Sequence, residues 1–342
     1  MSFDPRNILV IDFGQLGDVI MSLPALRAIR EHFPQARITV AVGKPGAEVI
    51  ELSRCADATL AVDRVALRDG FKPWSVLRIL RIVQDVRHKR FDFVIDLHSL
   101  SETNLLGFLS GAPRRLYSRR PRSLDFLANF NPRPPMEEDH RQRHLIDRYL
   151  DVLQPLGIKD GPNVPKLRTR AGDDQAIELM LRQAKADTGA PLVGLFPGAG
   201  HPSRCWPVER FSELADFVVR NEGARVLVFA GPEERALLPK IRTLFPESSL
   251  ILDKLTIPQL AAAQARLAVF VSNDTGPMHI AAAVGSPLVL LLDRRAPESY
   301  LPRATRQRVI YSSTIREIRV DEVYAATREL MTSARTETLF AS

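Results

Sequence analysis

Short apolar runs alternate with helical patterns, and the alternation runs through the chain twice. Asn7–Phe13 (NILVIDF) reads as a strand buried on both faces, and Val19, Ile20, Leu23, Leu26 and Ile29 follow it at helical spacing. Further strands are expected at Arg37–Val42, Ala58–Val62 and Phe91–Leu97. The pattern weakens between Gly111 and Pro135, and a helix is expected over His144–Gly157, ending near Pro155 and Gly157. Lys159–Leu167 (KDGPNVPKL) reads as a linker. Strands then resume at Pro191–Gly198, Ala224–Pro232, Ser249–Asp253 and in the run from Leu267, with Ser286–Leu292 as the last core strand. This order predicts an α/β chain with parallel sheets and crossover helices. Two halves are expected, residues 1–165 and 166–319, with the helical pattern at 320–334 packing back across the first.

A length of 342 residues suits two domains better than one core. With 45% hydrophobic and 25% charged residues, the balance is that of a folded globular chain. The two cysteines, Cys55 and Cys205, fit neither a disulfide framework nor a Cys-rich metal site, which points to a reducing cytoplasm. No signal peptide is read at the N-terminus, and no uninterrupted apolar stretch is long enough to span a bilayer. The net charge of +7 and a pI near 9.7 direct attention to anionic partners: nucleotides, nucleic acid, phosphorylated sugars or an acidic membrane face. D-x-D, H-E-x-x-H, G-x-S-x-G and phosphate-loop motifs are all missing, so no metal is expected.

In open parallel sheets ligands sit at the carboxyl ends of strands. Both halves carry glycine-rich turns there, so the cleft between them is the expected binding site. In FGQLGDVIMSLPAL, Gly14 and Gly17 permit a tight turn and close backbone approach. Asp18 falls where the first helix begins and reads either as its N-cap or as a carboxylate able to take a proton from a bound hydroxyl. The turn lacks the G-x-G-x-x-G spacing of a dinucleotide site. In SNDTGPMHIAAAVGSP, Asp274, Thr275 and Gly276 turn into a helix opened by Pro277, with His279 in its first turn. Free amides there suit a phosphate, and a capped helix is the plainer alternative. In FPGAGHPSRCWPVERF, Arg204 suits a diphosphate or a solvated loop, and Trp206 reads as core or cleft wall. Glu233 follows a Gly-Pro turn and could reach a ribose or simply favour the helix dipole. His98 ends the fourth strand. Residues 113–136 hold Arg114, Arg115, Arg119, Arg120, Arg122 and Arg133 against Asp125, a basic surface loop for a polyanion or for solvent.

These segments together resemble the lipopolysaccharide heptosyltransferase family, the ADP-heptose-using glycosyltransferases of family 9. The resemblance rests on ILVIDFGQLGDVIMSLPALRAIR, VIDLHSL, HLIDRYLDVLQPLG, FPGAGHPSRCWPVERF, FAGPEE and SNDTGPMHIAAAVGSP. It implies a GT-B fold: two Rossmann-like domains whose parallel sheets face one another across a cleft. It implies a metal-independent, inverting transfer of a heptose from ADP-heptose to a lipid-linked, anionic inner-core acceptor, with no cofactor and no nucleic acid. Asp18 is then the general base. Arg204, Glu233, Asp274, Thr275, Gly276 and His279 bind the donor, and Gly14, Gln15, Gly17 and His98 face the acceptor. Together with the charge, the resemblance implies a cytoplasmic enzyme in peripheral contact with the inner membrane. Arg204 departs from the lysine many members carry, and Gly14-Gln15 replaces small hydroxyl residues. A GT-B transferase of another nucleotide sugar, and a non-catalytic nucleotide or polyanion binder on the same scaffold, are the competing readings.

Overall fold

Strand β1 (Asn7–Asp12) carries Ile8, Leu9, Val10 and Ile11, all at 0% exposure. Such a run has no solvent face because it lies mid-sheet with helices on both sides. The structure, a computed structural model, describes residues 3–63, 73–136, 143–159, 161, 163–294 and 296–340, with the side chains of 73–78 and 333–340 excepted. Within the expected linker, Asp160 and Pro162 lie outside the described residues.

The described chain divides into two compact units, Met1–Pro165 with Glu298–Tyr300, and Lys166–Pro297 with Leu301–Ser342. In the first, β2 (Arg37–Gly43), β3 (Ala58–Val62), β4 (Phe93–Asp96) and β5 (Arg114–Tyr117) join β1 in the order β3-β2-β1-β4-β5. Every pairing is parallel. The strand order therefore reverses between β1 and β4, and loops leaving their carboxyl ends diverge to open a crevice.

The second unit repeats the plan. Strands β6 (Leu192–Phe196), β7 (Arg225–Phe229), β8 (Leu250–Leu252), β9 (Val269–Asn273), β10 (Leu288–Asp293) and β11 (Gln307–Ser312) form a parallel sheet in the order β11-β10-β9-β6-β7-β8. Its reversal lies between β6 and β9. One face of the sheet is covered by helices Val208–Glu222 and Val320–Phe340, through Phe211, Leu214, Val218, Val323 and Leu330. The opposite face receives Ile177, Leu181, Ala262, Met278 and Ala281 from helices Ala171–Gln183, Ile257–Gln264 and Gly276–Val284.

The C-terminal helix corrects one expectation. It belongs to the second unit. Its buried Val320, Val323, Leu330 and Met331 complete the second unit's core, and Tyr324 Oη donates to Glu222 Oε1 at 2.7 Å. Each such apolar side chain contributes about 1.5–3 kcal/mol when buried, which fixes the helix on this sheet. Two strands were not expected. β5 falls in the arginine-rich stretch and β11 follows the presumed last strand; both lie at sheet edges, where one side of the strand is unpaired and polar residues are tolerated. The expected helix over His144–Gly157 is shorter, Leu145–Asp151, followed by a 3₁₀ turn at Gln154–Leu156.

Candidate functional site

In the first unit the residues singled out by sequence gather at the β1/β4 reversal. Helix Leu16–His32 starts after an extended Gln15, so Gln15 and not Asp18 is the N-cap residue. Asp18 stands three positions further on, and its Oδ2 accepts the Gln15 N–H at 2.9 Å. This bond aims the carboxylate back over the turn. Gly14 has no room for a side chain: an added Cβ would stand 2.4 Å from Asp18 Cβ and 3.0 Å from Asp12 Oδ1. Gly17 lies in the first helical turn, half-buried. Burial pushes the Asp18 carboxyl above its ordinary range; the Gln15 amide works against this, nearby Asp12 adds to it, and His98 and Arg120 oppose it. A carboxylate of raised proton affinity at a strand's carboxyl edge has the property a general base needs.

Two further carboxylates, neither anticipated, build the floor of this site. Asp12 ends β1 at 0% exposure, accepts the Gly14 N–H at 2.9 Å and lies 3.4 Å from His98 Nδ1. Burial opposes its ionisation, but His98, Ser22 and the Gly14 amide outweigh burial and hold it below the usual carboxylate range. Asp96 ends β4, also at 0% exposure. It accepts N–H groups of Ser99 at 2.7 Å and His98 at 3.1 Å and the Asn104 amide at 2.8 Å, which shapes the turn presenting His98. Burial dominates and pushes its pKa up to about 6. The sequence signal for both was an aspartate closing an otherwise apolar strand.

In the second unit Arg204, Asp274, Thr275, Gly276 and His279 meet at the β6/β9 reversal. Arg204 closes a 3₁₀ turn (Pro202–Arg204), and its guanidinium donates to Asp274 Oδ2 at 3.1 Å. Burial raises the Asp274 carboxyl above its ordinary value, Arg204 lowers it and Asp293 raises it further. Thr275 is the extended N-cap of helix Gly276–Val284, with no capping bond from its hydroxyl, and His279 is buried in the first turns. A cavity of about 210 Å³ opens here, lined by Ser203, Arg204, Asp274 and Asp293.

Sequence reasoning missed the residue that ties this site together. Asn273, 0% exposed, accepts the Trp206 N–H at 3.0 Å and donates to the carbonyls of Pro197 at 3.1 Å and Gly198 at 3.0 Å. It thus joins the end of β9 to the loop carrying Arg204. Trp206 is core, 1% exposed, its indole N–H on Ile318 O at 2.9 Å. Glu233 is exposed, in a 3₁₀ turn after β7. The adjoining Glu234 takes the buried role: it accepts the Gly231 N–H at 2.8 Å and occupies the space a Gly198 Cβ would need.

The arginine-rich segment is partly structural. Arg115 donates to the carbonyls of Leu127 at 3.0 Å and Ala112 at 2.6 Å and lies over the Phe108 ring at 5.4 Å. Arg119 and Arg133 approach Asp125 at 3.7 and 3.8 Å. Arg114 and Arg122 are exposed, and Arg120 acts on Asp18. Among the described residues no group of three or more His, Cys, Asp and Glu is placed to hold a metal ion, and no helix is long and apolar enough to cross a membrane.

The family model for glycosyltransferase family 9 (heptosyltransferase) matches residues 79–325. The chain is 28% identical over 324 residues to lipopolysaccharide heptosyltransferase 2 of Salmonella typhimurium (strain LT2), covering 89% of this chain and 87% of that one. The solved glycosyl transferase family 9 of Veillonella parvula superposes with a TM-score of 0.84 at 24% identity, covering 97% of this chain and 99% of that one. The E. coli ADP-heptose lps heptosyltransferase II does so with a TM-score of 0.78 at 22% identity, covering 96% and 99%. The fold is thus GT-B, two parallel-sheet α/β domains, and the chain belongs to glycosyltransferase family 9, the heptosyltransferase family, and is a glycosyltransferase.

Proposed function

We propose that this protein transfers a heptose from ADP-heptose to the inner core of lipopolysaccharide, by a single displacement that inverts the anomeric centre and uses no metal. The first unit serves the acceptor. Asp18 takes the proton of the acceptor hydroxyl, and that oxygen bonds to the anomeric carbon as the bond from that carbon to the diphosphate breaks. Gly14, Gln15, Gly17 and His98 line the acceptor's approach. The second unit serves the donor. Arg204 and the helix N-terminus at Thr275-Gly276 stabilise the charge that develops on departing ADP. Asp274 and His279 hold the sugar and diphosphate, and Glu233, exposed after β7, reaches the ribose.

The observation that carries this reading is Asp18, aimed by the Gln15 amide and kept at raised proton affinity by burial. The names of the similar proteins, a lipopolysaccharide heptosyltransferase and an ADP-heptose-using one, support donor and acceptor. The test is thermal stabilisation across ADP, UDP, GDP, CMP and NADH, each with EDTA and with magnesium. A shift with ADP alone, unchanged by EDTA, is expected. A shift with another nucleotide instead would remove ADP-heptose as donor and leave a transferase of a different nucleotide sugar.

The reading places the enzyme in the cytoplasm with a peripheral membrane contact. Its support is the exposed Leu105, Phe108 and Phe126 on two elements in contact, helix Ser101–Leu109 and turn Asp125–Leu127, in a segment that also carries exposed Arg114 and Arg122. Salt-sensitive binding to anionic but not neutral vesicles, weakened in Phe126→Ser, is expected; equal binding to both would remove this contact.

A further inference from the structure

Strand β1 ends on a charge that its sheet does not need. Asp12 is fully buried, yet its neighbours hold its carboxyl below the usual carboxylate range, a costly arrangement for a residue that closes a strand. A turn requires no carboxylate to fix one N–H, since a neutral asparagine would accept it as well. Asp12 Oδ1 meets the Gly14 N–H at 2.9 Å and His98 Nδ1 at 3.4 Å, while Oδ2, buried, has no hydrogen-bond partner. Nearby, Tyr149 Oη of helix Leu145–Asp151 is also buried without one.

The geometry relative to Asp18 is tight. Asp12 Oδ1 and Asp18 Oδ2 lie 3.0 and 3.1 Å from the point a Gly14 Cβ would occupy. Two like charges therefore stand within about 6 Å of one another, a range over which one carboxylate raises the other's proton affinity. The His98 backbone N–H donates to Asp96 at 3.1 Å while its ring lies against Asp12, so the residue is held from two strands.

We propose that Asp12 and His98 form a buried positioning pair for the base: Asp12 holds the imidazole and the Gly14 amide, and the Asp12 carboxylate close to Asp18 sets the pH at which Asp18 can accept a proton. Asp12 touches neither substrate in this role. Asp12 orients His98 with a ring N–H towards its carboxylate and leaves the second ring nitrogen for the acceptor. The titratable and charged groups that bear on Asp18 come from each surrounding element: Asp12 from β1, His98 from the β4 turn and Arg120 after β5. Tyr149, from helix Leu145–Asp151, faces both aspartates as a neutral phenol, held well above its ordinary value by burial and then by their charge, with Arg120 and Arg148 opposing.

This inference rests on Asp18 as base, and the experiment separates the two. The pH dependence of kcat/KM and the ADP affinity are measured for wild type, Asp12→Asn, His98→Asn and Asp18→Asn. Asp12→Asn keeps an acceptor for the Gly14 amide, so folding and ADP affinity are retained. Its kcat falls about ten- to a hundredfold through misplacement of the base, and its acid limb moves to lower pH by about one unit because a like charge has gone. His98→Asn removes the imidazole but leaves Asp12 in place, so its kcat falls while its acid limb stays at the wild-type pH. A displacement in Asp12→Asn that His98→Asn does not share is not produced by loosened structure. Acid limbs unmoved in both, or moved the same way, overturn the pairing while leaving Asp18 intact. Wild-type turnover in Asp18→Asn overturns the base assignment and the pairing with it.

Discussion

Replacing Asn273 by alanine tests how the donor half is built. The side chain makes three hydrogen bonds from a fully buried position, one accepted from Trp206 N–H and two donated to Pro197 and Gly198 carbonyls. Truncation strands three buried backbone groups, and each costs about 1–3 kcal/mol when left unmet. Water entering the vacated space recovers part of this. A net loss of about 3–5 kcal/mol is expected, a large share of the roughly 5–15 kcal/mol that holds a domain together. The loop released is the one that carries Arg204, so ADP affinity should drop about tenfold or more. Urea unfolding at unchanged m, with calorimetric titration of ADP, measures both effects. Asn273→Asp is the informative companion. It keeps the acceptor for Trp206 but turns a carboxylate towards two carbonyls, so it should be the worse variant at neutral pH and recover as acid protonates it. A loss below about 1 kcal/mol in Asn273→Ala, with ADP binding intact, would refute the reasoning.

Other substitutions separate binding, geometry and burial. Gly14→Ala forces its Cβ against Asp18 Cβ at 2.4 Å, so turnover should fall steeply while stability drops by only about 1–3 kcal/mol, as kinetics and thermal melts would show. Arg204→Ala breaks an ion pair whose arginine is 56% exposed, so stability should change by less than about 1 kcal/mol while titrated ADP affinity falls at least about tenfold. Asp96, with a folded pKa of about 6 against an ordinary 3.8, binds its proton more tightly in the folded state. Its contribution is therefore full below the unfolded value and is lost as pH rises through about 6. The stability difference between wild type and Asp96→Asn should decline by roughly 2–3 kcal/mol from about pH 4 to 7, read from denaturant melts across that range.

The interior strands were legible because a strand covered on both faces must be apolar throughout, as at Ile8–Ile11 and Leu288–Leu292. Edge strands β5 and β11 were not: RRLY and QRVIYS keep polar side chains where one flank of the sheet is open. The glycine turns announced both sites, since Gly14 and the Asp274-Thr275-Gly276 turn each stand at a strand's carboxyl end. What stayed hidden was who supports whom. Glu233 and Glu234 differ by one position, and only the Gly231 amide decides which is buried; the capping-box spacing from Gly231 was the available signal. Asn273 and Asp12 are polar endings of apolar strands, and their partners sit far along the chain, beyond the reach of local spacing.

The most direct test of the account is turnover of ADP-heptose with a heptose-deficient inner-core acceptor, in EDTA, for wild type and Asp18→Asn, with ADP affinity measured on both. Asparagine can still accept the Gln15 N–H, so the turn should hold and ADP should bind within about twofold of wild type. The account predicts that turnover falls by about 10²–10⁴-fold. A folded Asp18→Asn protein that transfers heptose at the wild-type rate would contradict it.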